Sequence, residues 1–242
     1  MITFHASAVL HVRDGYTGRS LSPSSLLCTL DGAAVRPLSK PEGYLLLLDL
    51  SPGPHHLVIR GHGFQEEWVD FQAGEATQEL EVDMKPGADY PFRGTVTRLT
   101  LTVTEKKKPA FDRTLWLATG VHRELKIAQT RADAGALQFR LYCKGPSSAV
   151  SPGLYLLSDG GDSEIVLLRR LEEEMGTLAA PLRRNHSRGR PLLPAQRYHT
   201  GPDGRLTATF QTACTVELYA EERGLLASLP LEPGENHHTL SL

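Results

Sequence analysis

The chain has 242 residues, of which 40% are hydrophobic and 22% charged, with a formal net charge of -2. Such a chain suits one large or two to three small globular domains, and its charge gives no reason to expect a nucleic-acid partner. Dense punctuation by 22 Gly and 16 Pro, with few runs at helical spacing, points to an all-β protein. The expected architecture is two or three tandem β-sandwich domains, mostly antiparallel and with little helix.

At the start, Ile2, Phe4, Ala6, Ala8, Leu10 and Val12 share one parity, with Thr3, His5, Ser7, His11 and Arg13 on the other. This is the period of a half-buried strand and differs from a secretory leader. The longest apolar runs, such as Tyr44 to Leu48, fall short of a membrane span, so no membrane partner is expected. Cys28, Cys143 and Cys214 are scattered without a CxxC pair, which suits free thiols in a reducing compartment. The expected location is cytoplasmic, or outside the cell by a route without a cleaved signal peptide.

Leu26, Cys28 and Leu30 form a second apolar row, ending at Asp31-Gly32. That pair favours a tight hairpin because glycine accepts positive φ. Tyr44 to Leu50 is apolar on both faces and reads as a strand covered on both sides. After the Ser51-Pro52-Gly53-Pro54 corner, His55, Leu57 and Ile59 share one face, with His56, Val58 and Arg60 opposite. Gln65 to Phe71 continues with Val69 and Phe71 inward and Glu66, Trp68 and Asp70 outward. Leu80, Val82 and Met84 close the segment, with Glu79, Glu81 and Asp83 on its wet side.

The order of a DG turn, an apolar strand after Gly43-Tyr44, then PG-x-H-x-L-x-I-x-x-x-GF resembles carboxypeptidase-regulatory-like (transthyretin-like) β-sandwich domains. Pro52, Gly53, Leu57, Ile59, Gly63 and Phe64 match that pattern, and His55 stands where the family usually has Tyr. The resemblance covers residues 1–85. It implies a sandwich that serves as a spacer, stabiliser or binding surface, and it implies no chemistry.

Beyond Pro86-Gly87, Leu99, Leu101 and Val103 alternate on one strand, and Lys106 to Pro109 form a charged loop. Leu115–Thr119, Leu137–Cys143, Leu154–Leu157 and Ile165–Leu168 are further strand candidates. Val121 to Ala132 fits either a helix face or a strand, and Arg169 to Met175 could close as one or two helical turns. The basic run Arg183 to Arg190 suits a linker or exposed loop. Short strands follow at Leu206–Phe210, Val216–Ala220, Leu225–Leu231 and Thr239–Leu242. GRSLSP at Gly18–Pro23 is echoed by GRPLLP at Gly189–Pro194, and PGPHHLVI at Pro52–Ile59 by PGENHHTLSL at Pro233–Leu242. Three domains are therefore expected. They are the sandwich 1–85, a second sandwich 86–182, and a small β domain 183–242 that either repeats the first or completes the second.

No catalytic motif is present: GxSxG, HExxH and the P-loop are all missing, and Gly61-His-Gly63 lacks a third glycine. His55 and His56 point to opposite faces of a strand and cannot easily share an ion, so one core and one surface histidine are expected and no metal. Asp159, Asp162 and Glu164 lie on a tight turn without EF-hand spacing. No cofactor is implied. The candidate partner contacts are Glu66, Trp68 and Asp70, because an exposed Trp among acids is hot-spot chemistry, together with Arg183, Arg184, Arg188 and Arg190. The leading reading is a non-enzymatic structural or protein-interaction component of a larger assembly, with a protein partner or self-assembly. A carbohydrate-binding module using Trp68 or Trp116 as a stacking platform is the alternative. An enzyme with a site in 86–242 is the third.

Overall fold

The computed structural model describes residues 5–40, 43–120, 125–145 and 150–242. Two compact units emerge, Met1–Gly94 and Thr95–Leu242. Strands joined by turns make up nearly all of both, so the fold is all-β.

The first unit holds β1 (Ala6–Asp14), β2 (Leu26–Leu30), β3 (Ala33–Val35), β4 (Leu38–Lys40), β5 (Tyr44–Leu48), β6 (Gly53–Gly61), β7 (Glu67–Ala73) and β8 (Gln78–Met84). They form two four-stranded sheets, β4-β5-β1-β8 and β3-β2-β6-β7. Alternation decides what lies between them. Ala8, Leu10, Val12, Leu45, Leu47, Val82 and Met84 from one sheet meet Cys28, Leu57, Ile59, Phe71 and Ala73 from the other. Fully burying one such Leu or Ile contributes about 1.5–3 kcal/mol before entropy is counted.

Turns fix the register. Leu30 pairs with Ala33 across a two-residue loop in which Asp31 and Gly32 have φ of 50° and 83°. Positive φ at both positions is the hairpin turn whose twist matches the strands. At Gly43, φ is +82° and an added Cβ would lie 2.8 Å from the Val12 carbonyl oxygen, so no side chain fits there. After β8 the chain folds back: Gln65 N donates to Lys85 O, and Gly87 N donates to Gly63 O. Tyr90 then donates its hydroxyl to Asp14 at 2.5 Å and packs among Tyr16, Phe64 and Phe92.

In the second unit the strands are β9 (Thr97–Glu105), β10 (Lys108–Pro109), β11 (Thr114–Thr119), β12 (Leu125–Ile127), β13 (Arg131–Ala132), β14 (Gln138–Cys143), β15 (Gly153–Leu157) and β16 (Glu164–Glu172). They continue as β17 (Met175–Leu178), β18 (His186–Ser187), β19 (Leu192–His199), β20 (Arg205–Phe210), β21 (Cys214–Ala220), β22 (Gly224–Leu231) and β23 (Gly234–Ser241). A nine-stranded sheet runs β12-β14-β17-β16-β15-β19-β11-β21-β22. Its second half packs against a smaller sheet of β10, β9, β20 and β23. Leu99, Leu101, Val103, Leu206 and Ala208 there meet Leu115, Leu117, Val216 and Leu218.

The first half of the long sheet curls around its own core of Ile127, Phe139, Leu141, Leu157, Leu168 and Leu192. Its seam is closed by backbone: Ile127 N donates to Arg190 O, Gly189 N donates to Ile127 O, and Lys126 bridges Pro191. On the opposite face Ala118, Leu156, Ala195 and Tyr219 form a smaller cluster with Trp116 and Ile165. That is why β11 and β15 are apolar on both sides.

Two expectations are corrected here. Arg169 to Met175 is not helical: β16 runs through Glu172, turns at Glu173 (φ 53°), and pairs antiparallel with β17. The run Arg183–Arg190 is an exposed segment but not a linker: it lies within the second unit, where β18 pairs with β13 and the backbone closes the seam. The ambiguous stretch 121–132 contains the strands β12 and β13, with 121–124 outside the described residues. The two echoed HH segments sit differently, β6 between antiparallel neighbours and β23 parallel to β9.

Candidate interaction surface

β7 is the edge strand of its sheet, and its outward residues meet those of β6 in register. Trp68 stands opposite Val58, which stands opposite Thr29. One row along, Leu27 pairs with Arg60, and Arg60 reaches Glu66. On the other side His56 pairs with Asp70, and their side chains also meet. Trp68 is 56% exposed and Leu27 is 74% exposed, apolar groups flanked by polar pairs on an open sheet face.

The groups around Trp68 are held in place. Its indole N–H donates to Glu66, and the Arg60 guanidinium binds the same carboxylate. The indole bond is the main reason the Glu66 carboxyl sits below its usual range; partial desolvation opposes it and Arg60 adds to it. The His56 ring meets the Trp68 ring edge-on at 5.7 Å between centroids. Fixed orientation lowers the entropy cost of using an aromatic side chain as a contact.

His55 turns inward from the same strand. Its Nδ1 lies 2.7 Å from Asp31 and its Nε2 lies 2.8 Å from the Ser51 carbonyl. The Ser51 carbonyl, then Asp31, favour the protonated ring and push its pKa up. The Asp31 carboxyl is lowered, first by the His56 backbone N–H and then by His55. One histidine thus staples the hairpin corner while its neighbour faces solvent.

The arginines part company. Arg183 and Arg184 offer their backbone N–H groups to Glu164 at 2.9 and 3.1 Å, and Arg190 binds Asp159 at 2.6 Å. Between those two carboxylates lies His186, a residue the sequence reading passed over inside a polar run. Its side chain has no exposed surface, with Nδ1 3.2 Å from Asp159 and Nε2 2.8 Å from Glu164. Each ring nitrogen therefore faces a carboxylate oxygen, and the ring bridges the two acids. Burial pushes the Glu164 carboxyl up, but the bonds from His186, Arg183 and Arg184 outweigh it and leave the group lowered.

This cluster ties the Asp159–Glu164 turn to the seam, and its ring is closed to a substrate. Arg188 is placed apart, beside Lys126, Arg140, Tyr142 and Glu174 in an open groove of about 610 Å³. Trp116 packs in the cluster on the outer face of the long sheet and does not form an open platform. Among the described residues no group of three or more His, Cys, Asp or Glu side chains is arranged to hold a metal ion. No helix among them is long and apolar enough to cross a membrane.

No protein-family model matches the chain, and no curated protein does. Similar solved structures include the streptococcal ancillary pilin, 10% identical over 97% of this chain with a TM-score of 0.26. The chain spans 60% of that pilin's length. The shaft pilin of Lactobacillus rhamnosus GG is 9% identical, covers 97% of this chain and 95% of its own, and scores 0.27. BcpA, the major pilin subunit of Bacillus cereus, is 8% identical over 99% of each chain and also scores 0.27. At such scores the functional reading rests on the chain's own sheets and surfaces.

Proposed function

We propose that the chain is a non-enzymatic interaction component of a protein assembly, and that the outer face of β2, β6 and β7 is its contact. The observation that carries this reading is the exposure of Trp68 and Leu27 on one open sheet face, beside the Arg60–Glu66 ion pair and the His56–Asp70 contact. Trp, Arg and a charged rim are the composition of binding hot spots, and the rim shields a central contact from water. Of the seven candidate contacts, Glu66, Trp68 and Asp70 belong to this surface. Arg183 and Arg184 give their backbone N–H groups to Glu164 and keep their side chains exposed, Arg190 binds Asp159, and Arg188 lines the separate groove.

Light scattering over a concentration series, with pull-down from native extract, tests the proposal on wild type and Trp68→Ala. The expected result is association in the wild type that weakens at least tenfold in the variant, a hot-spot loss of about 1.4 kcal/mol or more. Association unchanged by the variant refutes the assignment of this face. Binding in a glycan array that disappears with Trp68→Ala identifies a sugar-stacking surface instead.

A further inference from the structure

Both units share a feature that partner binding does not require. In each, the first strand lies beside the last and runs parallel to it. β1 pairs with β8 from Ala8↔Gln78 to Asp14↔Met84, and β9 pairs with β23 from Thr97↔Gly234 to Thr104↔Ser241. An antiparallel terminal pair places a unit's entry and exit at the same end. A parallel pair places them at opposite ends, roughly 25 Å apart for strands of this length.

Tension along the polypeptide therefore runs along these strands and loads each ladder in shear. The ladder's hydrogen bonds lie across the pull and must be stretched together, whereas a terminal pair opened from one end gives way bond by bond. β1 and β9 are interior strands, held on the far side by β5 and β20. β8 and β23 are edge strands, so each terminal ladder is the one that must shear. Side chains lock the same registers: Arg13 to Asp83 at 3.0 Å and His11 to Glu81 at 3.1 Å in the first unit, Arg98 to Glu235 at 2.9 Å in the second. Beyond β8, the bond from Tyr90 to Asp14 fastens the exit of the first unit to the end of β1.

We propose that the chain is a tension-bearing element, two shear-loaded modules joined through one polypeptide. This goes beyond the interaction reading and does not rest on it, because the Trp68 face takes no part in either terminal ladder.

Single-molecule force spectroscopy on the full chain tests it, with handles first at the two chain ends. Two rupture events are expected, releasing roughly 250 Å for the first unit and roughly 490 Å for the second, from about 3.6 Å per extended residue less the folded span. A second preparation carries its handles at residues 5 and 75. Those positions lie at one end of the β1–β8 pair, where His5 Nε2 sits 3.3 Å from the Gly74 carbonyl. That geometry opens the ladder from one end, and equal melting midpoints verify that the handles leave the fold intact. At one loading rate, unfolding of the first unit is expected to need less than about half the force in the second geometry, forced rupture being governed by the unfolding barrier along the pull. Equal forces in the two geometries overturn the proposal, as does end-to-end pulling without two discrete ruptures of these lengths.

Discussion

Replacing His186 by alanine removes the side chain that bridges Asp159 and Glu164 in the second unit. Glu164 is 4% exposed and the His186 ring is fully buried, so bulk water cannot replace the lost partner. Removing one partner of a buried charged group costs about 3–5 kcal/mol, because the surviving carboxylate loses a donor that water does not replace. Glu164 keeps the backbone donors of Arg183 and Arg184, and Asp159 keeps Arg190, which places the loss near the lower end. For a unit of this size, about 3 kcal/mol lowers the thermal midpoint by roughly 6–12 °C. The chain's two tryptophans fall one in each unit, so a Trp68→Phe background makes Trp116 fluorescence a reporter of the second unit alone. A shift below about 2 °C, with the urea m-value unchanged, refutes the view that this cluster fastens the seam.

Three further outcomes follow from the same geometry. Leu57→Ala, at a fully buried position between the two sheets of the first unit, is expected to cost about 2–5 kcal/mol in urea unfolding read by Trp68. Trp68→Phe serves as its contrast: the exposed site predicts a change within about 0.5 kcal/mol by circular dichroism. The His55–Asp31 pair contributes stability in a pH window. His55 is raised, so its share is full below the unfolded value of about 6.5 and is lost as pH rises through the folded one; Asp31 is lowered, so its share is full above about 3.9 and is lost as pH falls through the folded value. Wild type minus His55→Gln, measured from pH 3 to 9 in urea, should peak between those two values, and a flat difference refutes the assignment.

Much of the first unit was legible because each strand obeys one period. Leu57 and Ile59 are buried and Trp68 and Asp70 exposed, as alternation alone requires. Asp31-Gly32 named its own turn. The seam of the second unit could not be read the same way. Periodicity reports which face a residue takes, whereas Arg183–Arg190 is pinned by partners at Glu164, Asp159 and Ile127, about 20 to 60 positions earlier in the chain. A histidine in a run of arginines looks solvated until those carboxylates are brought to it. Arg169–Met175 misled for a related reason: a register shift between Leu168 and Arg170 breaks the two-residue period where the strand continues.

The pairing of first strand with last also sets when each unit can fold during synthesis. The first unit has every strand of its core once Met84 has been made. The second must wait for β23, whose Ser241 lies 137 residues after its register partner Thr104. Until then β9 has only β20 and β10 beside it, and the apolar row of Leu99, Leu101 and Val103 is incompletely covered. At translation rates of about 5–20 residues per second, that interval lasts on the order of ten seconds, long enough for a nascent-chain chaperone to engage the unfinished sheet.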